Sequence, residues 1–207
     1  MIENPYDRRR DMAPSDFTAT HNWFAQTVWD LPVGRHRTLL RGIPGIVNAA
    51  IGDWSITGVV GFHSGLPYSV TFSGSDPSGT GTFSGRADLN SGCNPQLPNP
   101  TNGRYFDVSC FAIPPTGVGR FGTSPRNLLR GPSNWANDLS LAKPFYITER
   151  VDLRFMAQFV NILNHPNFGN PQANITAPNA GQIFANTTNA HNLYDMRQIF
   201  FHVKLEF

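Results

Sequence analysis

Period-two alternation, nearly complete at the end of the chain, restricts the fold more than any other feature. Ile199, Phe201, Val203, Leu205 and Phe207 are apolar, His202, Lys204 and Glu206 between them are polar, and Phe200 is the exception. Every second side chain of a strand shares one face. On a helix, Phe201 and Leu205 would leave the stripe of Ile199, Val203 and Phe207 and sit among the charges, so a strand is expected. Val151, Leu153, Phe155, Ala157 and Phe159 alternate in the same way with Asp152, Arg154, Met156 and Gln158. Trp54, Ile56, Gly58, Val60 and Phe62 alternate with Ser55, Thr57, Val59, Gly61 and His63, and the extended pattern runs on through Tyr68, Val70 and Phe72. Trp23 to Leu31 is a weaker case, and Leu139 with Leu141 marks a shorter fifth segment. The expected fold class is all-β, with about five antiparallel up-and-down strands.

Connections between these strands are unequal. Thr148-Glu149-Arg150 joins two strands tightly, whereas residues from about 74 to 134, and those between Asn164 and the last strand, are rich in Gly, Pro, Asn and Ser. Such stretches read as loops. Long structureless loops are uncommon in compact soluble domains; outer-membrane barrels carry them outside the cell and keep their periplasmic turns short. If the tight turn is periplasmic, every long loop falls outside. Pro32 to Asp53 is long for a periplasmic turn and leaves room for a short helix over Ile43 to Ile51.

A β-sandwich also alternates, but its strands are short. A run as long as Ile199 to Phe207, at about 3.3 Å per residue and about 45° of tilt, climbs on the order of 21 Å, close to the roughly 25 Å apolar band of a bacterial barrel. Trp23, Trp29, Trp54, Trp135, Phe145 and Tyr146 lie towards strand ends, as interfacial aromatic girdles would. Charged residues make up 14% of the chain, against about a quarter in soluble domains. No apolar stretch is long enough for a transmembrane helix, and Ile2 to Asp16 lacks the apolar core of a secretory signal. The expected location is the cell outer membrane. On this reading Trp54, Ile56, Val60, Phe62, Val151, Leu153, Phe155 and Phe159 face lipid. Asp152, Arg154, Gln158, His202, Lys204 and Glu206 face the lumen, Asp152 with Arg154 and Lys204 with Glu206 forming a charge network.

Other chemistry is thinly represented. A net charge of +2, with scattered Lys and Arg, does not point to nucleic acid; Arg8-Arg9-Arg10 reads as a solvated loop. Cys93 and Cys110 share the long outside loop, where a disulfide is the expected state in an exported chain. No His stands near them to complete a metal site. His21, His36, His63, His165, His191 and His202 show no ligand spacing. Gly79-Thr80-Gly81-Thr82-Phe83-Ser84-Gly85 has a phosphate-loop look but no following helix, so it reads as flexible loop. In Gly61-Phe62-His63-Ser64-Gly65 the Ser falls one place late for a nucleophile elbow. No catalytic residue, cofactor or metal is expected, and the chain is read as not an enzyme.

Several segments together resemble Oar-like TonB-dependent transporters, which often follow a carboxypeptidase-regulatory-like domain. They are Asn4-Pro5-Tyr6, Pro14-Ser15-Asp16-Phe17, Asp30-Leu31-Pro32-Val33-Gly34, Gly65-Leu66-Pro67-Tyr68-Ser69-Val70, Arg130-Gly131-Pro132, Asn137-Asp138-Leu139-Ser140-Leu141 and Asn161-Ile162-Leu163-Asn164-His165-Pro166-Asn167-Phe168-Gly169-Asn170-Pro171. The end of the chain, Ile199 to Phe207, looks like the strand read by the barrel assembly machinery. The resemblance implies that residues 1–207 are the C-terminal segment of a barrel of about 22 strands, without its plug, taking up a bulky solute. Implied partners are outer-membrane lipid, upstream barrel strands, a plug, the assembly machinery and the TonB complex through the parent protein. The competing expectation is a secreted β-rich adhesion or glycan-binding module.

Overall fold

The computed structural model describes residues 3–4, 6–35, 37–148, 150–184 and 196–207. Of the positions singled out above, Ile2, Pro5, His36, Glu149 and His191 lie outside the described residues. Two compact units divide the chain: Met1–His21, His63–Asn134 and Asn167–His191 form one, and Asn22–Phe62, Trp135–Pro166 and Asn192–Phe207 the other.

The second unit is a single antiparallel sheet. Its strands are β1 (Asn22–Asp30), β2 (Ser55–His63), β3 (Asn134–Tyr146), β4 (Asp152–Val160) and β5 (Gln198–Glu206). They lie in chain order across the sheet, the up-and-down arrangement expected from the alternation, and the sheet does not close. Registration is continuous from Asp152 opposite Glu206 to Val160 opposite Gln198, and from Leu139 opposite Phe159 to Tyr146 opposite Asp152. Between β3 and β4 the chain reverses through Ile147 and Thr148, whose N–H groups both donate to Val151 O. Between β1 and β2 lies α1 (Gly45–Ile51), inside the stretch where a short helix was expected. Trp54, Val151 and Phe207 stand one residue outside their strands.

Two expectations about strand length are corrected. The alternation beyond Phe62 does not prolong β2. Ser64 N–H turns aside to His21 O, and Pro67–Tyr68 pairs instead with Leu129–Arg130. Pro67 has no N–H to extend the β2 ladder. At Gly65 an added Cβ would stand 1.7 Å from Gly131 O, so the backbones meet where only glycine fits. The fifth segment, expected to be short, is the longest strand at 13 residues. Its period was hidden because Asn137, Lys143 and Pro144 interrupt the apolar and polar stripes.

A third correction concerns residues 74–134, which are organised rather than structureless. Short ladders pair Thr71–Ser73 with Ser84–Arg86, Asp88–Leu89 with Phe111–Ala112, and Gln96–Thr101 with Arg104–Phe106. Tyr68, Val70, Ala87, Phe106, Cys110, Phe111 and Leu129 form a buried cluster. The glycine-rich stretch read as flexible loop is fixed by Asp76, whose carboxylate accepts from the N–H groups of Gly79, Thr80 and Gly81. These strands are two to six residues long, too short for a period to show in sequence.

Cys93 and Cys110 are joined by a disulfide with Cα atoms 5.5 Å apart. Cys110 is fully buried in the cluster, after a 3-10 turn at Val108–Cys110 that Asp107 caps by accepting from Ser109 N–H. Closing a loop of this size restricts the unfolded chain by about 3 kcal/mol. Replacing both cysteines with alanine is therefore expected to expose new protease sites between Leu89 and Phe111 in the membrane-embedded protein. Unchanged cleavage kinetics would show that the apolar cluster holds the segment unaided.

Candidate functional site

The register sorts the sheet into two faces. On one, Leu153 stands opposite Leu205, Phe155 opposite Val203, Ala157 opposite Phe201 and Phe159 opposite Ile199. β3 adds Leu139, Leu141 and Phe145 to that face. Phe155 and Phe201 stack at 6.1 Å, and Phe62 packs on Trp135 at 4.7 Å. The apolar side is nonetheless open: Phe201 is 68% and Val203 65% exposed. Among the described residues this unit contains no second sheet. An apolar surface of this extent is not left to water in a soluble monomer.

Opposite it, Asp152 faces Glu206, Arg154 faces Lys204, Met156 faces His202 and Gln158 faces Phe200. Two like charges abreast would repel, and carboxylates intervene. Arg154 contacts Asp152 at 3.0 Å and Glu206 at 2.9 Å, while Lys204 contacts Glu206 at 2.6 Å. The two pairs expected from sequence are thus one network of four. A cavity of about 430 Å³ beside it includes Arg37, Asp53, Ser55, His202 and Lys204 in its lining.

Sequence reasoning missed Lys143. It lies opposite Phe155, on the apolar face, yet is only 2% exposed. Its ammonium donates to Asn48 O and Gly52 O at the end of α1 and lies over the rings of Trp54 and Phe145, at 5.4 and 5.3 Å. A lysine interrupting an apolar stripe was the available sign that something covers the sheet there.

The first unit is polar and tightly bonded. Arg86, with its side chain 7% exposed, meets Glu3 and Asp11 at 2.7 Å each, and its own N–H donates to Glu3. Asp16 accepts from Asn127 and Arg126, and Arg120 grips Asp88 with two N–H groups. Gly122 is pressed so close to Arg86 O that a Cβ would stand 1.7 Å away. A cavity of about 440 Å³ is lined by Glu3, Asp16, Phe72, Arg86, Phe121 and Arg126 among others. Another, of about 310 Å³, includes Tyr68, Gln96, Tyr105, Phe106 and Arg130 in its lining. Burial pushes the Tyr68 and Tyr105 hydroxyls up. Among the described residues no three His, Cys, Asp or Glu gather as metal ligands, and His21, His63, His165 and His202 stay scattered.

These carboxylates set an acid limit. Burial raises Asp11, but hydrogen bonds from Arg86 and Glu3 N–H outweigh it and hold the group below its ordinary 3.8. The hydrogen bond from Asn127, then that from Arg126, lowers Asp16, and Arg120 lowers Asp88. A depressed carboxyl contributes stability above its unfolded value and loses it as pH falls through the folded one. Hydrogen exchange of this unit in detergent is expected to be flat from pH 7 to 5, after correction for intrinsic rates, and to rise below about pH 4. Replacing Arg86 with alanine leaves two buried carboxylates facing each other and should cost about 3–5 kcal/mol. The readout is exchange in Glu3 to Asp11 at neutral pH; protection equal to the parent would refute the ion cluster's role.

An open antiparallel sheet with one apolar and one charged face, edged by aromatic residues, is wall material for a membrane β-barrel. The chain belongs to the outer membrane beta barrel domain family, whose match spans residues 1–199. Its place is therefore the outer membrane, which decides against the secreted module. Neither the curated proteins nor the solved structures give a significant match.

Proposed function

We propose that the chain supplies wall strands and outside loops to an Oar-like TonB-dependent receptor that takes up a bulky solute. The two-faced, open sheet is the observation that carries this reading. Its apolar side meets acyl chains and its charged side lines the lumen. The free edges of β1 and β5 hold unpaired N–H and C=O groups, which hydrocarbon cannot satisfy. Closure therefore falls to further strands of a parent barrel, with a plug in its lumen. The segments 64–133 and 161–197 join strands at one end of the sheet, and the tight turn lies at the other. With the turn in the periplasm, these long connections are the outside loops, and the cavities of the first unit offer solute contacts. TonB engages the parent protein, the assembly machinery reads β5, and the residues described here carry no catalysis and no nucleic-acid contact.

Two measurements test this. Arginine at Phe155 or Val203 should cost about 2–4 kcal/mol near the bilayer midplane and sharply lower the protein recovered from outer membranes, whereas arginine at Gln158 should be tolerated. Equal recovery of all three would sink the assignment of faces. For transport, cells lacking the gene should lose uptake of one compound from a panel of fluorescent peptides and glycans. Loss of TonB should abolish the same uptake; import that survives without TonB would leave a passive barrel.

A further inference from the structure

The connection from Leu31 to Asp53 has surface chemistry that the wall alone does not require. α1 reads Gly45-Ile46-Val47-Asn48-Ala49-Ala50-Ile51 and holds no charged residue. Its polar member points to the protein: Asn48 donates to Asp53 and accepts from Arg35 N–H. Its apolar members point away, Ile46 being 88% exposed, with Val47, Ile51 and the preceding Leu39 and Leu40 also exposed. Arginines flank the helix. Arg35 donates to Ile43 O, Arg37 meets Asp30 at 3.2 Å, and Arg41 donates to Arg37 O.

Lys143 shows which side of the sheet the helix occupies. Its register puts it on the apolar face, between Leu141 and Phe145 and opposite Phe155. Its ammonium is held by Asn48 O and Gly52 O at the end of α1, while Arg37 and Asp53 of the same connection line the cavity beside the charge network, so the connection straddles the rim of the sheet and α1 meets its apolar side through Lys143. The indole of Trp54 ties in from the same side, donating to Ala50 O. α1 belongs to the β1–β2 connection, at the same end of the sheet as the β3–β4 turn, and its Ile46, Val47 and Ile51 side chains are exposed there. A cation there would be costly against lipid; the helix carbonyls and two aromatic rings shield it.

We propose that α1 is an interfacial foot lying in the phospholipid headgroup layer at the rim of the barrel's turn end, with Lys143 as its pin. Ile46, Val47 and Ile51 enter the acyl boundary. Arg35 and Arg41, both exposed, lie at phosphate depth, as basic residues do beside interfacial helices. The proposal rests on the lipid-facing assignment of the apolar face, and its test separates the two.

Both cysteines of these residues are bonded; with any free cysteine elsewhere in the parent replaced by serine, a single new cysteine can carry an environment-sensitive fluorophore. The full-length parent barrel would be labelled at Ile46→Cys, Phe155→Cys or Ser78→Cys and reconstituted in phosphatidylethanolamine–phosphatidylglycerol vesicles containing brominated acyl chains. Strong quenching at positions 46 and 155, with none at 78, is the expected result. Quenching at 155 without quenching at 46 overturns the foot and leaves the face assignment standing; loss at both overturns both. A label at 46 shielded from aqueous iodide yet untouched by bromine would mean that protein covers the helix, and that also overturns the proposal. In a Lys143→Met background, which keeps the face apolar, quenching at 46 should fall at least twofold while quenching at 155 persists. Unchanged quenching at 46 would remove Lys143 from the role of pin.

Discussion

Backbone hydrogen bonding governs this molecule more than any side-chain contact. In hydrocarbon an unpaired N–H or C=O has no solvent to turn to, so a spanning sheet must satisfy each strand through its neighbours. The unbroken registers between β3 and β4 and between β4 and β5 are the visible result. Side-chain period follows from that ladder, because a one-residue slip would exchange every apolar residue for a polar one. The placement of Phe155, Val203 and Phe201 together, and of Arg154, Lys204 and Glu206 together, is a consequence of pairing rather than its cause.

Legibility in the sequence followed the same physics. β1, β4 and β5, and the start of β2, could be read to within a residue because a wall strand needs a strict period over its whole length. β3 was under-read because Lys143 and Asn137 sit on its apolar side: Lys143 answers α1, and nothing in the structure explains the side chain of Asn137. The stretch from 74 to 134 was read as loop because its order comes from other sources. Its ladders are short, its turns are set by single carboxylates such as Asp76 and Asp107, and its core gathers residues far apart in the chain, such as Val70, Phe106 and Leu129. None of these leaves a local period. The disulfide could be anticipated from context, whereas the Glu3–Arg86–Asp11 cluster could not, since nothing near Arg86 in sequence foretells acidic partners from the first dozen residues.

Charge is handled in two opposite ways within one sheet. Arg154 and Lys204 are exposed, Asp152 and Glu206 are half-buried, and the four share their partners, an arrangement that water and ions can readily rearrange. Lys143 is buried, with no ion pair at contact distance among the described residues, and is satisfied by fixed backbone carbonyls and aromatic faces. The sheet thus presents solvated chemistry on one side, on β4 and β5, and shielded chemistry on the other, on β3. Its tolerance to substitution at adjacent positions should differ accordingly.

The Cys93–Cys110 link also dates the steps of maturation. Thiols stay reduced in the cytoplasm and oxidise in the periplasm, so the chain leaves its ribosome with this ring open. The segment around Phe106 and Cys110 can cross the inner membrane as an unlinked thread. It acquires its covalent brace on the way to the outer membrane, and the brace thereby serves as a chemical timestamp separating the travelling form of the protein from its resident one.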